Sequence, residues 1–175
     1  FDEWAEDNGA CAADSDDGVR FRQENWYRHV RRETGILMND GEPVGGAWNY
    51  DEENRETPPS SWEPPSVPRF EPDETTRDVQ AFVTERYGDH WGDPEGFVWP
   101  VTREEARQAL AHFVSERLPE FGAYQDAMID GEWALCHSLL SAALNVGLLR
   151  PREVVDAAVD AYDAGDAPLN SVEGF

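Results

Sequence analysis

Apolar residues recur every three or four positions over much of the second half of the chain, which is the spacing of an α-helix with one buried face. The clearest run follows Thr102, whose side chain is expected to form a capping box with Glu105. The apolar positions of this helix are Ala106, Ala109, Leu110, Phe113, Val114 and Leu118. Between Pro119 and Gly131 we expect a break with a short helical turn.

Three further helices follow from the same spacing. The first covers residues 20–32. The second covers residues 78–87, in a pattern that becomes helical at Glu74. The last begins at Pro151 and ends at Gly165. The chain is therefore predicted to be mainly α-helical.

Helix 20–32 is locally basic, although the chain as a whole is acidic. Its basic residues are Arg20, Arg22, Arg28, His29, Arg31 and Arg32. They either pair with neighbouring carboxylates or contact a phosphate group or another domain, and the sequence leaves both interpretations open. Residues 35–38, directly after this helix, are the one candidate strand.

A strongly apolar helix is predicted over residues 133–146, with His137, Ser138 and Ser141 near its start. The first turn of a helix has unpaired N–H groups and a partial positive charge, and nearby hydroxyls add donors. Together they would make a pocket for an anionic group, most often a phosphate. The alternative is ordinary packing, in which the serines bond back to carbonyls of the preceding turn. The residues alone leave both interpretations open.

Residues 35–72 differ in character, because their prolines exclude helix interiors and disfavour sheet. The prolines of the densest part are Pro58, Pro59, Pro64, Pro65, Pro68 and Pro72. We interpret this stretch as a long linker. Its aromatic residues suggest that it is pinned to a surface: Trp48, Tyr50, Trp62 and Phe70.

The most distinctive feature of the composition is its charge: the formal net charge is −23, and the chain has no lysine. This composition is typical of a halophile, because salt of about 1 M shortens the Debye length to about 3 Å and screens self-repulsion. An acidic mimic of nucleic acid would need a regular acidic periodicity, which the chain lacks. The same charge argues against strong phosphate binding by the chain as a whole.

The two cysteines, Cys11 and Cys136, fit neither a metal site nor a disulfide framework, which favours a reducing cytoplasm. No apolar run is long enough to span a bilayer, and the N-terminus does not resemble a signal peptide. The sequence has no phosphate-binding glycine loop, nucleophile elbow or zinc-binding histidine pattern. It begins without methionine and ends on a turn-like stretch, residues 172–175, so we expect a piece of a longer protein.

The polar start of helix 133–146 carries a longer motif. The residues His137-Ser-x-Leu-Ser141, followed by Gly147-x-Leu-x-Pro-Arg152, resemble the flavin-binding signature of the DNA photolyase and cryptochrome family. That signature is Thr-Ser-x-Leu-Ser, then Gly-x-Leu-Ser-Pro-Arg. The departures are His137 for threonine, Leu139 where arginine is common, and Arg150 for serine.

Five other segments are similar to the photolyase-related branch of that family, which includes the iron–sulfur bacterial cryptochromes and the (6-4) photolyases. They are residues 26–38, 43–55, 99–103, 121–128 and 167–175. The resemblance implies three parts: residues 1–34 as the tail of an α/β antenna domain, residues 35–73 as an interdomain linker, and residues 74–175 as the start of a helical FAD-binding domain. The rest of that domain would follow Phe175.

The resemblance also implies which residues contact FAD: Tyr124, His137, Ser138, Leu140 and Ser141. The serines and the helix N–H groups would bind the pyrophosphate. Asp51, with Glu53 beside it, matches a linker acid that this branch is thought to use for a divalent cation. An antenna chromophore and a 4Fe–4S cluster are expected in the full-length protein but outside this segment, so Cys136 is expected to pack in the helical core.

Three hypotheses for function remain. The first, implied by the resemblance, is part of a monomeric, cytoplasmic, FAD-dependent photolyase that repairs (6-4) photoproducts in damaged DNA with blue light. The second is a cryptochrome-type photoreceptor without repair activity. The third is a flavin-free helical interaction module. No catalytic residue is assigned within the segment, and by itself we expect it to be inactive and to bind FAD weakly or not at all.

Overall fold

The computed structural model describes residues 23–175. The chain divides into two compact units, Phe1–Asn49 and Tyr50–Phe175. The prediction of a mainly α-helical chain is confirmed. Predictions that concern Arg20, Arg22 and Cys11 lie outside the described residues.

The first unit contains helix α1 (Gln23–Thr34) and a hairpin of strands β1 (Met38–Asn39) and β2 (Glu42–Pro43). The turn between the strands is made by Asp40 and Gly41, which have φ angles of 49° and 84°. Two left-handed residues are what a tight hairpin turn requires, and Asp-Gly is a preferred pair for it.

The predicted helix 20–32 is therefore present in the described part of that range, but the strand predicted over residues 35–38 is wrong in position. Gly35 and Leu37 have φ angles of 71° and 49°, which no extended strand contains. Only Met38 of that range belongs to a strand.

The arginines of α1 surround Trp48. The guanidinium groups of Arg28, Arg31 and Arg32 lie 5.4, 5.3 and 4.7 Å from the centre of its ring. At these distances the cations are attracted to the face of the indole. Arg28 also pairs with the carboxylate of Glu24. The basic residues thus find partners inside their own unit, in an aromatic ring as well as in a carboxylate.

The second unit contains helices α2 (Glu74–Tyr87), α3 (Arg103–His112), α4 (Leu118–Tyr124), α5 (Ser141–Asn145), α6 (Pro151–Ala164) and α7 (Leu169–Gly174), with 3-10 turns at Asp51–Glu53 and Pro94–Gly96. Helices α2, α3 and α6 confirm their predictions. Thr102 and Glu105 form the expected capping box, and Gly165 ends α6 with a φ of 81°.

Helices α3 and α4 are joined by a π-turn, Phe113–Arg117, so the break predicted over residues 119–131 begins only at residue 125. Within an α-helix a proline lacks the N–H of the ladder, and its ring clashes with the carbonyl four residues earlier. The wider π-turn changes the hydrogen-bond register before Pro119 and relieves that clash. The chain therefore remains helical up to Tyr124.

The helix predicted over residues 133–146 is wrong in its first half, because only α5 is helical there. Residues 133–140 follow an irregular path, in which Leu135 and Leu139 have φ angles of 42° and 59°. A right-handed helix cannot contain such residues. This path buries three consecutive side chains, starting at Ala134.

The chain segment expected to be turn-like, residues 172–175, instead belongs largely to α7, which packs closely on α4. A Cβ added at Gly122 of α4 would lie 2.7 Å from Asn170 Nδ2 and 2.8 Å from Ser171 N. The Gly122 N–H donates to the Ser171 hydroxyl at 2.8 Å. At the same junction Asn54, which is 1% exposed, donates from Nδ2 to the Asn170 backbone carbonyl at 3.3 Å and accepts at Oδ1 from Asn170 Nδ2 at 3.0 Å.

Hydrogen bonds also hold the proline-rich stretch against α4 and against the segment that precedes α3. The Glu56 N–H donates to the Ala123 carbonyl at 3.0 Å, and the Phe70 N–H donates to the Val98 carbonyl at 3.1 Å. Among the described helices, none is both long and apolar enough to cross a membrane.

Candidate cofactor-binding site

Residues 138–143 present a run of backbone N–H groups without a hydrogen-bond acceptor in the described part of the chain. Within the run, left-handed Leu139 (φ 59°) precedes right-handed Leu140 (φ −92°, ψ −7°). Successive N–H groups in such an alternation converge on one concave point, which is a common anion site. The first turn of α5 follows directly and adds its own unpaired N–H groups. The backbone therefore provides a site that suits a phosphate.

Two serine hydroxyls belong to the same run. Ser138 is half-buried and Ser141 is exposed. Neither hydroxyl has a hydrogen-bond partner among the residues that the structure describes, so the alternative in which they bond back to carbonyls is not observed. The prediction that both serines lie on one helix is wrong, because Ser138 precedes the helix that Ser141 begins.

Arg117 ties this run to the proline-rich stretch. Its Nη1 donates to the His137 carbonyl at 2.8 Å, and its Nη2 donates to the carbonyls of Pro65 and Ser66 at 3.0 and 2.9 Å. The side chain is 1% exposed, and no carboxylate in residues 23–175 forms an ion pair with it. Burial lowers the pKa of this guanidinium, although it stays charged because an arginine titrates far above neutral pH.

Tyr124 lies half-buried at the end of α4, in edge-on contact with Trp62 at a distance of 4.9 Å between ring centres. The Trp62 Nε1–H donates to both carboxylate oxygens of Glu120, at 3.2 and 3.1 Å. Desolvation raises the pKa of the Tyr124 phenol, and the nearby carboxylates of Glu120 and Glu56 raise it further. The phenol is therefore neutral at physiological pH and can donate a hydrogen bond.

The side chains of His137 and Leu140 face different surroundings. The His137 side chain is exposed, with its ring 6.2 Å from that of Phe121. Leu140 is 1% exposed, so its side chain belongs to the core and only its backbone can face a ligand. His137 also lines a cavity of about 370 Å³ together with Met128 and Trp133, which are both largely exposed. The lining of this cavity is more polar than apolar, because two carboxylates contribute to it as well.

Cys136 is fully buried next to this loop, which confirms the prediction that it packs in the core. Burial raises the pKa of its thiol to about 11, helped by the carboxylate of Glu120 and opposed by Arg117. A thiol with such a pKa is neutral at physiological pH and is neither a good nucleophile nor a metal ligand.

The carboxylate of Asp51 pairs with Arg55 on the adjacent turn. Within residues 23–175, no group of three or more histidine, cysteine, aspartate or glutamate side chains is placed to hold a metal ion. Asp51 and Glu53 share one 3-10 turn, so any cation held there needs further ligands from elsewhere.

A larger groove of about 870 Å³ runs along α2 and contains none of the predicted site residues. No residue of α2 is buried, and the apolar side chains of Val79, Phe82 and Tyr87 are exposed. The predicted site therefore lies in the loop before α5 and at the end of α4, away from this groove.

The family model of deoxyribodipyrimidine photo-lyase-related proteins matches residues 4–99, more than half of the chain. The chain belongs to this family. A (6-4) photolyase from Agrobacterium fabrum is 47% identical to this photolyase-related chain over 152 residues, or 87% of it. Those residues make up 30% of the relative, so the chain spans less than a third of that photolyase's length.

Arg117 was not among the residues predicted for the site, although a signal for it exists. Ala106, Leu110 and Phe113 form the buried face of the helix, and Arg117 continues it with the same spacing. A charged residue at such a position must find polar partners inside the protein. Its partners are backbone carbonyls, which the sequence does not reveal. The bond between Trp62 and Glu120 was missed for a related reason, since 58 residues separate the two.

Proposed function

We propose that this chain is part of a FAD-dependent, blue-light-driven DNA repair photolyase that acts on (6-4) photoproducts. The observation that carries the proposal is the run of unpaired N–H groups at residues 138–143. It coincides with the segment that resembles the family's flavin-binding signature, and its left-handed turn at Leu139 supports an anion site built from backbone N–H groups. The relative from Agrobacterium fabrum supports the choice of lesion.

In this proposal the run at 138–143 holds the FAD pyrophosphate, and the hydroxyls of Ser138 and Ser141 add two donors. His137 lines the neighbouring cavity, and Leu140 contributes its backbone while its side chain anchors the loop. Tyr124 offers a neutral phenol and an aromatic face held by Trp62. These residues fit the phosphate-bearing part of a dinucleotide, and the rest of the pocket would come from outside the chain.

When bound in reduced form and excited by blue light, the flavin would supply an electron to a flipped-out lesion. The residues of this chain bind and orient the cofactor, and none of them is proposed to be catalytic. We assign the division into antenna tail (1–34), linker (35–73) and FAD-binding domain (74–175) to the same proposal. An antenna chromophore, a 4Fe–4S cluster and the damaged-DNA surface would belong mainly to the remainder of a cytoplasmic, monomeric protein. Asp51 would donate one ligand to a divalent cation.

Repair activity of the full-length protein, meaning the polypeptide that carries this chain, tests the proposal. Duplex DNA with a single (6-4) photoproduct, or with a single cyclobutane pyrimidine dimer, is illuminated with the protein and reduced FAD. We expect light-dependent loss of the (6-4) lesion only. Loss of the dimer alone would reassign the lesion. Bound flavin with neither lesion repaired would instead favour a photoreceptor, and a colourless protein that binds no flavin would favour an interaction module.

A further inference from the structure

Arg117 occupies an unusual environment for a charged side chain. It is 1% exposed, it has no carboxylate partner in the described residues, and its Nε has no hydrogen-bond acceptor there. Burying an arginine in this way costs free energy that ordinary packing does not recover. A buried charge whose partners are only carbonyl oxygens therefore calls for an explanation.

The positions of the carbonyls that Arg117 binds explain why this charge is buried. The His137 carbonyl belongs to the peptide group that enters the 138–143 run, and the Pro65 and Ser66 carbonyls lie in the proline-rich stretch. One guanidinium therefore fixes three backbone positions from two segments that are more than 70 residues apart in the sequence. Because proline limits the backbone freedom of its own segment, the proline-rich stretch is a stiff anchor for the Arg117 guanidinium.

The conformation that Arg117 fixes is one that the local sequence does not favour. Leu139 is a non-glycine residue with a φ of 59°, and left-handed residues of this kind need support from their surroundings. The carbonyl that Arg117 binds lies two residues before Leu139. Holding it in place orients the peptide groups from which the converging N–H groups arise.

We infer that Arg117 is a positioning residue, which holds the 138–143 N–H groups in their anion-binding arrangement by clamping the His137 carbonyl to the Pro65–Ser66 stretch. This inference rests on the proposed function only in that the anion is the FAD pyrophosphate. The guanidinium does not contact the cofactor in this arrangement. Its positive charge nevertheless lies next to the loop, within hydrogen-bond distance of the His137 carbonyl, where it favours a nearby anion.

The test compares the affinities of the full-length protein for FAD and for riboflavin, which has no phosphate. Arg117→Met is the variant, and Arg107→Met is the matched control, because Arg107 is an exposed arginine of the preceding helix, α3, and contacts Glu153. We expect Arg117→Met to weaken FAD binding by about tenfold to a hundredfold, with riboflavin binding changed less than about threefold. Arg107→Met should change neither. Equal loss for both ligands, or no loss for either, would overturn the inference.

A second readout does not depend on flavin. Arg69 is exposed and lies three residues after Ser66, so the rate of trypsin cleavage after Arg69 reports how firmly the proline-rich stretch is held. Cleavage should be several-fold faster in Arg117→Met than in Arg107→Met. Unchanged cleavage would show that there is no clamp. If the wild-type protein binds no FAD, the proposed function fails, and the cleavage rate still decides whether the clamp exists.

Should Arg117→Met fail to fold, Arg117→Lys provides the same test. A lysine keeps the charge and most of the apolar stem, but its single ammonium group cannot reproduce the planar fork that reaches all three carbonyls. We expect a smaller loss of FAD affinity, with the same sparing of riboflavin. A lysine variant with wild-type affinity for FAD and wild-type cleavage would contradict a clamp that depends on the guanidinium fork.

Discussion

At the scale of single residues, two residues that look ordinary in the sequence determine the shape of the site. Leu139 adopts a left-handed backbone conformation, and the Arg117 guanidinium donates its hydrogen bonds to backbone carbonyls. Both facts depend on contacts with distant segments, so neither follows from local propensity. The motif at 137–141 could be recognised from its residues, whereas its backbone geometry could not.

Cys136 gives a prediction at this scale. Its pKa is raised to about 11 in the folded protein from an ordinary value of 9.0. Between these values the unfolded chain loses the proton first, so the stability of the fold should fall as pH rises from about 9 to about 11. Below pH 9 the thiol is protonated in both states and makes no pH-dependent contribution. The measurement is chemical denaturation of the full-length protein at several pH values.

Cys136→Ala is the control for this titration. It lowers stability at every pH by removing buried volume, but it should flatten the decline above pH 9. A Cys136→Ala protein that loses stability above pH 9 as steeply as the wild type would show that other groups cause the decline.

At the scale of elements, the sequence predicts best where the signals are local. The capping box at Thr102, the proline at the start of α6 and the glycine at its end all act within one turn of the helix. Apolar spacing alone predicted too much helix over residues 133–146, because an irregular path can bury consecutive apolar side chains as a helix would. Pro119 led to the prediction of too little helix, since a π-turn lets the helix continue through it.

The contact between α4 and α7 gives the second prediction. A methyl group at Gly122 would meet Asn170, Ser171 and Asn54 at 2.7 to 2.9 Å. Because all three of these contacted atoms take part in hydrogen bonds, we expect Gly122→Ala to destabilise the fold by about 1–3 kcal/mol. The change is measured as a shift in the denaturation midpoint.

Gly96→Ala is the matched control, because a methyl group there would meet only the Asp93 side chain, at an ordinary distance of 3.5 Å. It should leave stability unchanged or raise it slightly by restricting the unfolded chain. Equal effects of the two substitutions would show that close packing at Gly122 is not what the fold depends on.

At the scale of the whole molecule, the most distinctive property is the formal net charge of −23 in a chain that has no lysine. We propose that it reflects adaptation to concentrated salt, where self-repulsion is screened within about 3 Å at 1 M. The thermal unfolding temperature of the full-length protein should therefore rise by at least several degrees between dilute and molar KCl. Sucrose at equal osmolality serves as the control, because it does not screen charge. An unfolding temperature that KCl leaves unchanged, or raises no more than sucrose does, would contradict the proposal.

The central claim is that the N–H groups of residues 138–143 bind the phosphates of FAD. Amide hydrogen exchange of the full-length protein, with and without FAD, tests it most directly, because these groups lack acceptors in the described structure and should exchange rapidly when unliganded. We predict strong protection of residues 138–143 on FAD binding, with little change in α6, whose N–H groups are already bonded within the helix. FAD binding that leaves the exchange of residues 138–143 unchanged would contradict the account.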